Sequence, residues 1–137
     1  MAITTTTANK VLDYLFGATA FSNLSTMYMG LSTSTVLNDG TGATEPSTSG
    51  TAYSRIAITN NKTNWGTASN ASLTNSSAIQ FTESSASWGT IVSVGLSDAS
   101  SGGNLWWYDT LSPSRTVSSA TTVLFAIGAV TVQMTNS

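Results

Sequence analysis

Only 7% of the 137 residues are charged, for a net charge of −2, against roughly a quarter in ordinary globular proteins; 24 Thr and 23 Ser supply the polarity instead. With no Cys and no His, the chain has no disulfide, no thiol nucleophile, no Ser-His-Asp triad and no Cys/His zinc site. Its four basic residues, Lys10, Arg55, Lys62 and Arg115, do not form a phosphate-tracking patch, so no nucleic-acid partner is expected. A hydrophobic content of 40%, with four Trp, four Tyr and four Phe, predicts one packed domain over 1–137 rather than disorder.

Residues 1–7 form a Thr-rich lead whose 2–7 portion has no charge and one large apolar side chain, Ile3. Its β-branched run favours extended backbone, so it reads either as a polar arm laid on a neighbouring subunit or as a frayed terminus. A helix is predicted over 8–16. Ala8, Val11, Leu12, Leu15 and Phe16 fall on one apolar stripe, with Thr7 as N-cap and Gly17 just past the end. So short a helix is not stable alone, and the stripe must pack on its own domain or on a neighbour. The first charge is Lys10, and Asp13 interrupts the apolar stretch, so a secretory signal is not expected.

Period-two patterning follows. A strand is predicted over 26–31, with Met27, Met29 and Leu31 on one face, and then a loop over 32–51, long enough to be functional or mobile. Further strands are predicted over 53–59, 78–81, 90–97, 105–109, 115–117, 121–127 and 129–134. Between the first two lies an Asn/Ser/Thr-rich stretch anchored by Trp65 and Leu73. Residues 98–104 read as a hairpin loop, and Gly95 leaves room for a bulky cross-strand neighbour. Ser112-Pro113-Ser114 reads as a turn. The apolar run 123–130 is too short to span a membrane, and no membrane partner is expected. About eight short strands and one short N-terminal helix predict an all-β fold: an antiparallel β-sandwich, jelly-roll-like, over 26–134.

Trp106, Trp107 and Tyr108 alternate faces of one strand, as core packing, as a partner interface or as a sugar-stacking platform. The six carboxylates lie no closer than six residues apart, and no nucleophile-elbow, S-x-x-K or phosphate-binding motif occurs. Asn38-Asp39-Gly40 is a turn rather than a calcium loop. No enzyme activity, cofactor or metal is therefore expected. The candidate interface residues are Ile3, Val11, Leu12, Leu15, Phe16, Trp106 and Trp107.

Several short strings, in order and spacing, resemble small structural proteins of tailed bacteriophages. They are Tyr28-Met29-Gly30-Leu31-Ser32-Thr33, Asp39-Gly40-Thr41-Gly42 with Glu45-Pro46, and Tyr53-Ser54-Arg55-Ile56. They continue with Thr63-Asn64-Trp65, Ser87-Trp88-Gly89-Thr90-Ile91, Gly95-Leu96-Ser97-Asp98-Ala99 and Gly102-Gly103-Asn104-Leu105. The chain departs from that pattern at Ser97, where a bulky aromatic is usual, and over 118–122, where a tight polar turn is typical. The resemblance implies a virion protein assembled in the host cytoplasm. Two roles are open: a capsid cement or decoration protein, trimeric and docked on the major capsid protein, or a tail-fibre or sugar-binding knob protein. The cement role is the first expectation, and in it the lead would touch the capsid or an adjacent subunit.

Overall fold

Alternation of apolar and polar side chains produces most of the strands where they were expected, Ala2–Ile3 and Ser72–Thr74 being additions, and one central sheet collects five of the nine described. The computed structural model describes residues 1–17, 19–20 and 23–135. In chain order the elements are β1 (Ala2–Ile3), α1 (Thr5–Leu15), β2 (Thr26–Ser32), β3 (Ile56–Thr59) and β4 (Ser72–Thr74). There follow β5 (Ile79–Gln80), β6 (Gly89–Ser97), β7 (Leu105–Val117), β8 (Leu124–Phe125) and β9 (Thr131–Gln133). Five strands form a sheet in the order β1-β7-β6-β2-β3, and β4-β9 and β5-β8 form two-stranded ribbons. Every pairing is antiparallel. The fold is all-β with one short helix.

The two faces of the central sheet differ. Met27, Met29 and Leu31 of β2, Ile58 of β3, Val94 and Leu96 of β6 and Trp106 of β7 are buried in one cluster. Ile79, Phe81, Trp65 and Val130, from the ribbons and their flanks, belong to the same cluster. Within it Tyr53, Phe81 and Trp88 pack ring against ring. Tyr53 and Trp88 meet edge to face at 5.3 Å, and Phe81 and Trp88 at 6.1 Å, geometries that the ring quadrupoles favour. Trp88 also donates its indole N–H to the Thr51 carbonyl at 2.8 Å. On the other face sit Gly30 and Gly95, under the segment 33–55. That segment is a long loop, but it is fastened. Thr33 donates to the Thr44 carbonyl at 2.9 Å, Leu37 to that of Thr41 at 2.8 Å, and Thr44 N–H to Ser32 Oγ at 2.9 Å.

Three expectations change. Residues 105–117 are one strand, not two separated by a turn. Ile91 pairs with Arg115 and Ser93 with Thr110, so residues 111–114 bulge opposite Val92. Pro113 has no N–H to give the ladder, and a bulge accommodates it without ending the pairing.

The helix begins at Thr5, with Thr4 rather than Thr7 as N-cap. Thr4 Oγ1 accepts from Thr7 N–H at 3.3 Å and donates to the Leu105 carbonyl at 2.8 Å; Thr7 Oγ1 donates to the Trp106 carbonyl at 3.0 Å. Both threonines are buried. These bonds override the extended preference of β-branched residues, so the middle of the Thr run is a capped helical turn.

The lead is therefore not an arm reaching away from its own domain. Ala2 and Ile3 pair with Tyr108 and Trp107 as an edge strand, and the Ile3 side chain is buried. Ile3, expected at an interface, belongs to the core.

Candidate interaction surface

The strings within residues 30–55 and 95–105 converge on the face of the sheet that carries Gly30 and Gly95. Glu45 accepts from Arg55 through both carboxylate oxygens, Nε to Oε1 at 2.8 Å and Nη2 to Oε2 at 3.0 Å. Its Oε1 also accepts from the Tyr53 hydroxyl at 2.8 Å, and that hydroxyl in turn accepts from the Leu31 N–H at 2.9 Å. Arg55 Nη1 donates to the carbonyls of Ala99 and Gly102 at 2.7 and 2.8 Å. One guanidinium thus ties the long loop to the 98–104 hairpin, with the planar geometry that suits Arg to bidentate carboxylates. Asp98 closes the hairpin by accepting from Asn104 N–H at 2.8 Å and from the Trp106 indole at 3.1 Å.

Space here is scarce. A Cβ on Gly30 would stand 2.7 Å from Glu45 Oε1, one on Gly95 2.4 Å from Leu105 Cδ1, and one on Gly103 2.4 Å from Asp98 Oδ1. Gly95 does leave room for a bulky neighbour, and the neighbour is Leu105. Ser97, the departure from the phage pattern, is buried and lines a cavity of about 220 Å³ together with Gly30, Gly95 and Arg55.

Electrostatics follows from this bonding. Burial alone would raise the Glu45 carboxyl, but hydrogen bonds from Arg55 and Tyr53 outweigh it and hold the carboxyl below its ordinary range. Burial, with help from the Glu45 hydrogen bond, drives the Tyr53 hydroxyl well above its ordinary value. At Asp98 burial again pushes up, and the donors of Asn104 and Trp106 pull the net shift down. These are carboxylates held ionised by partners, the state of a clamp rather than of a proton donor.

A second feature lies where α1 meets the sheet. Val11, Trp106 and Trp107 line an open groove of about 570 Å³ with Met27, Trp65 and Leu73, while Asn61 and Lys62 contribute polar groups. Trp106 is buried and Trp107 half-buried, with their rings stacked at 6.4 Å. Thr7, Ala8 and Val11 form the inward side of α1, so the stripe turns away from the sheet after Val11. Leu12 is 53%, Leu15 66% and Phe16 84% exposed. Of the residues singled out from sequence, Val11, Trp106 and Trp107 come together in the groove, Leu12, Leu15 and Phe16 stand on the helix next to it, and Ile3 lies elsewhere. Trp88 is buried in the aromatic cluster and presents no face for a ligand to stack on. Sequence reading missed the Glu45–Arg55–Tyr53 clamp. Its only trace was that Tyr53 and Arg55 share a strand face and that Glu45 stands in the same set of strings.

The sequence profile of the family described as Podophage GP4 fiber I protein gp80 matches residues 2–133. The chain belongs to this fiber I family. The match covers β1 through β9 whole, so the clamp, the groove and the capped helix all fall within it. No curated protein sequence matches the chain. Membership makes this a small phage structural protein of fibre type, in agreement with the resemblance read from its strings. No helix among the described residues is long and apolar enough to cross a membrane.

Proposed function

We propose that this chain is a non-enzymatic structural subunit of a tailed-phage fibre, carried on the virion and working as a homo-oligomer, a trimer, through protein–protein contacts. The observation that carries the reading is the exposed apolar end of α1 beside an apolar groove, in a chain whose matched family is named for a fibre. A nearly uncharged surface favours burial against neighbours, because little charge has to be desolvated on docking. The clamp supports the same reading: its ionisable groups are spent on fastening a loop, which leaves no activated acid, base or nucleophile there.

The family's name favours the fibre over the capsid cement role that the sequence placed first. The cement role, docked on the major capsid protein, is kept as a second reading because the described residues fold as one five-stranded sheet with two short ribbons rather than as an extended shaft. Immunogold labelling of purified virions, with copy number by quantitative mass spectrometry, tests both. Label on tail appendages at low copy number is the expected result. Label over the head at hundreds of copies would transfer the chain to the cement role.

A further inference from the structure

The groove and the exposed helix end form one continuous surface, since Val11 lines the groove and Leu12, Leu15 and Phe16 follow it on the same helix. An apolar projection beside an apolar recess is unusual on a chain that stands alone in water. We propose that the occupant of the groove is a second copy of this chain, the Leu15–Phe16 end of one copy seating between Trp65, Trp107 and Leu73 of the next. The proposal rests on the reading of the protein as a self-assembling structural subunit and names the face through which it assembles.

Three features point to a second copy. The groove's lining is predominantly apolar, which suits Leu and Phe side chains better than a hydroxyl-rich sugar. Projection and recess occur on the same chain in equal number, so a closed symmetric assembly satisfies every recess with no further component. The charges also match in sign. Asp13 is exposed on the projecting end and Lys62 stands among the groove's lining residues. Inserting the helix end brings the Asp13 carboxylate of one copy toward the Lys62 ammonium of the next. Among the described residues Lys62 donates to the Gly66 carbonyl at 3.1 Å, and its ammonium group has further N–H donors to offer a second partner. In a surface with so few charges, one opposite-sign pair at the rim helps set orientation and register.

Sedimentation velocity on the full chain over a concentration series tests the proposal, with circular dichroism confirming each fold. Wild type is expected to associate, and Leu15→Ser combined with Phe16→Ser to sediment as a monomer. Lys62→Asp alone and Asp13→Lys alone are each expected to weaken association by roughly fivefold to tenfold. The double variant carrying both swaps is expected to recover most of that loss, because the pair is restored with reversed sign. Both charges are exposed, so these variants fold even if the apolar pair proves less tolerant. Wild type monomeric at every concentration, or a double swap as weak as the two single changes combined, overturns the proposal. So does association that survives the apolar double variant, or a helix end that sediments with neutral lipid vesicles while the protein stays monomeric. Virion labelling is independent of these outcomes: a monomer found on tail appendages removes this contact and leaves the fibre reading standing.

Discussion

On the clamp face, Arg55 and Glu45 satisfy each other, Tyr53 bridges them to the backbone of β2, and glycines stand where a methyl group would collide. At the helix end, large apolar side chains stand in water beside a recess that no described residue fills. The first region is complete as it is. The second gains only when something covers it. Of the strings that attract attention in the sequence, those at 28–55 and 95–105 build the clamp and its surroundings, that at 87–91 serves the core, and only Trp65 of the one at 63–65 reaches the groove. In this fold most motif residues hold the scaffold, whereas the surface left for a partner is made largely of ordinary Leu, Phe and Trp outside any motif.

If that contrast is correct, substitutions should behave oppositely in the two regions. The largest effect is expected at Arg55. Arg55→Met strands the Glu45 carboxylate beside the Tyr53 hydroxyl and leaves the Ala99 and Gly102 carbonyls without their donor. It should destabilise the fold by about 2–3 kcal/mol, toward the lower end for a broken pair because Glu45 is only partly buried. Urea unfolding followed by tryptophan fluorescence measures it. A loss under about 0.5 kcal/mol, the size of an ordinary surface change, would mean that the loop is held by its backbone bonds alone.

The same carboxylate gives the pH dependence. The Glu45 pKa is lower folded than unfolded, so the unfolded chain binds its proton first as pH falls. The stability this contributes is fully present above the ordinary value of 4.5 and is lost as pH drops through the lower folded value. Asp98 and Asp39 are lowered too and act in the same direction. Glu45→Gln should therefore be less stable than wild type at neutral pH, with the gap narrowing in acid. Paired urea titrations at neutral pH and near pH 3 check the sign, and a gap that widens in acid would refute it.

The fold was legible where apolar periodicity was strong. Met27, Met29 and Leu31 marked β2, and the run before Asp98 marked β6, because burying one sheet face imposes alternation on the chain. Where hydrogen bonds decided, the sequence was silent. The Thr run looked extended by propensity, and only the carbonyls of Leu105 and Trp106, about a hundred residues away, make its middle a capped helix. The ribbons were predicted too long, since β8 and β9 pair with β5 and β4 over only two and three residues. For the interaction surface, the sequence supplied the residues but not their sides. A stripe of Ala8, Val11, Leu12, Leu15 and Phe16 has no mark that separates the inward Val11 from the outward Phe16. That division depends on where Thr4 anchors the first turn.

Thr4 tests that anchor with an intermediate effect. Thr4→Val keeps the shape but removes the buried cap of the Thr7 N–H and the donor to the partly buried Leu105 carbonyl. It should cost about 1–2 kcal/mol, with the loss read both as helical ellipticity and as lower urea resistance. A variant equal to wild type would mean that Thr7 holds the helix on the Trp106 carbonyl without help.

The smallest effect on the isolated domain is expected where the most apolar surface is in view. Phe16 is the C-cap residue, and its backbone N–H bonds back to the Leu12 carbonyl, which a substitution does not disturb. Its side chain, 84% exposed, loses almost nothing to water in Phe16→Ser, so stability of the dissociated chain should change by no more than about 0.5 kcal/mol. Leu12→Asp should likewise fold normally, although a charge in the predicted stripe would block folding if that stripe faced the core. Dilute thermal unfolding, below the concentration at which copies associate, isolates this term from assembly. A large loss in either variant would place the helix end against its own domain and remove the contrast with the clamp. Unchanged unfolding together with weakened association would locate the cost in the contact between copies.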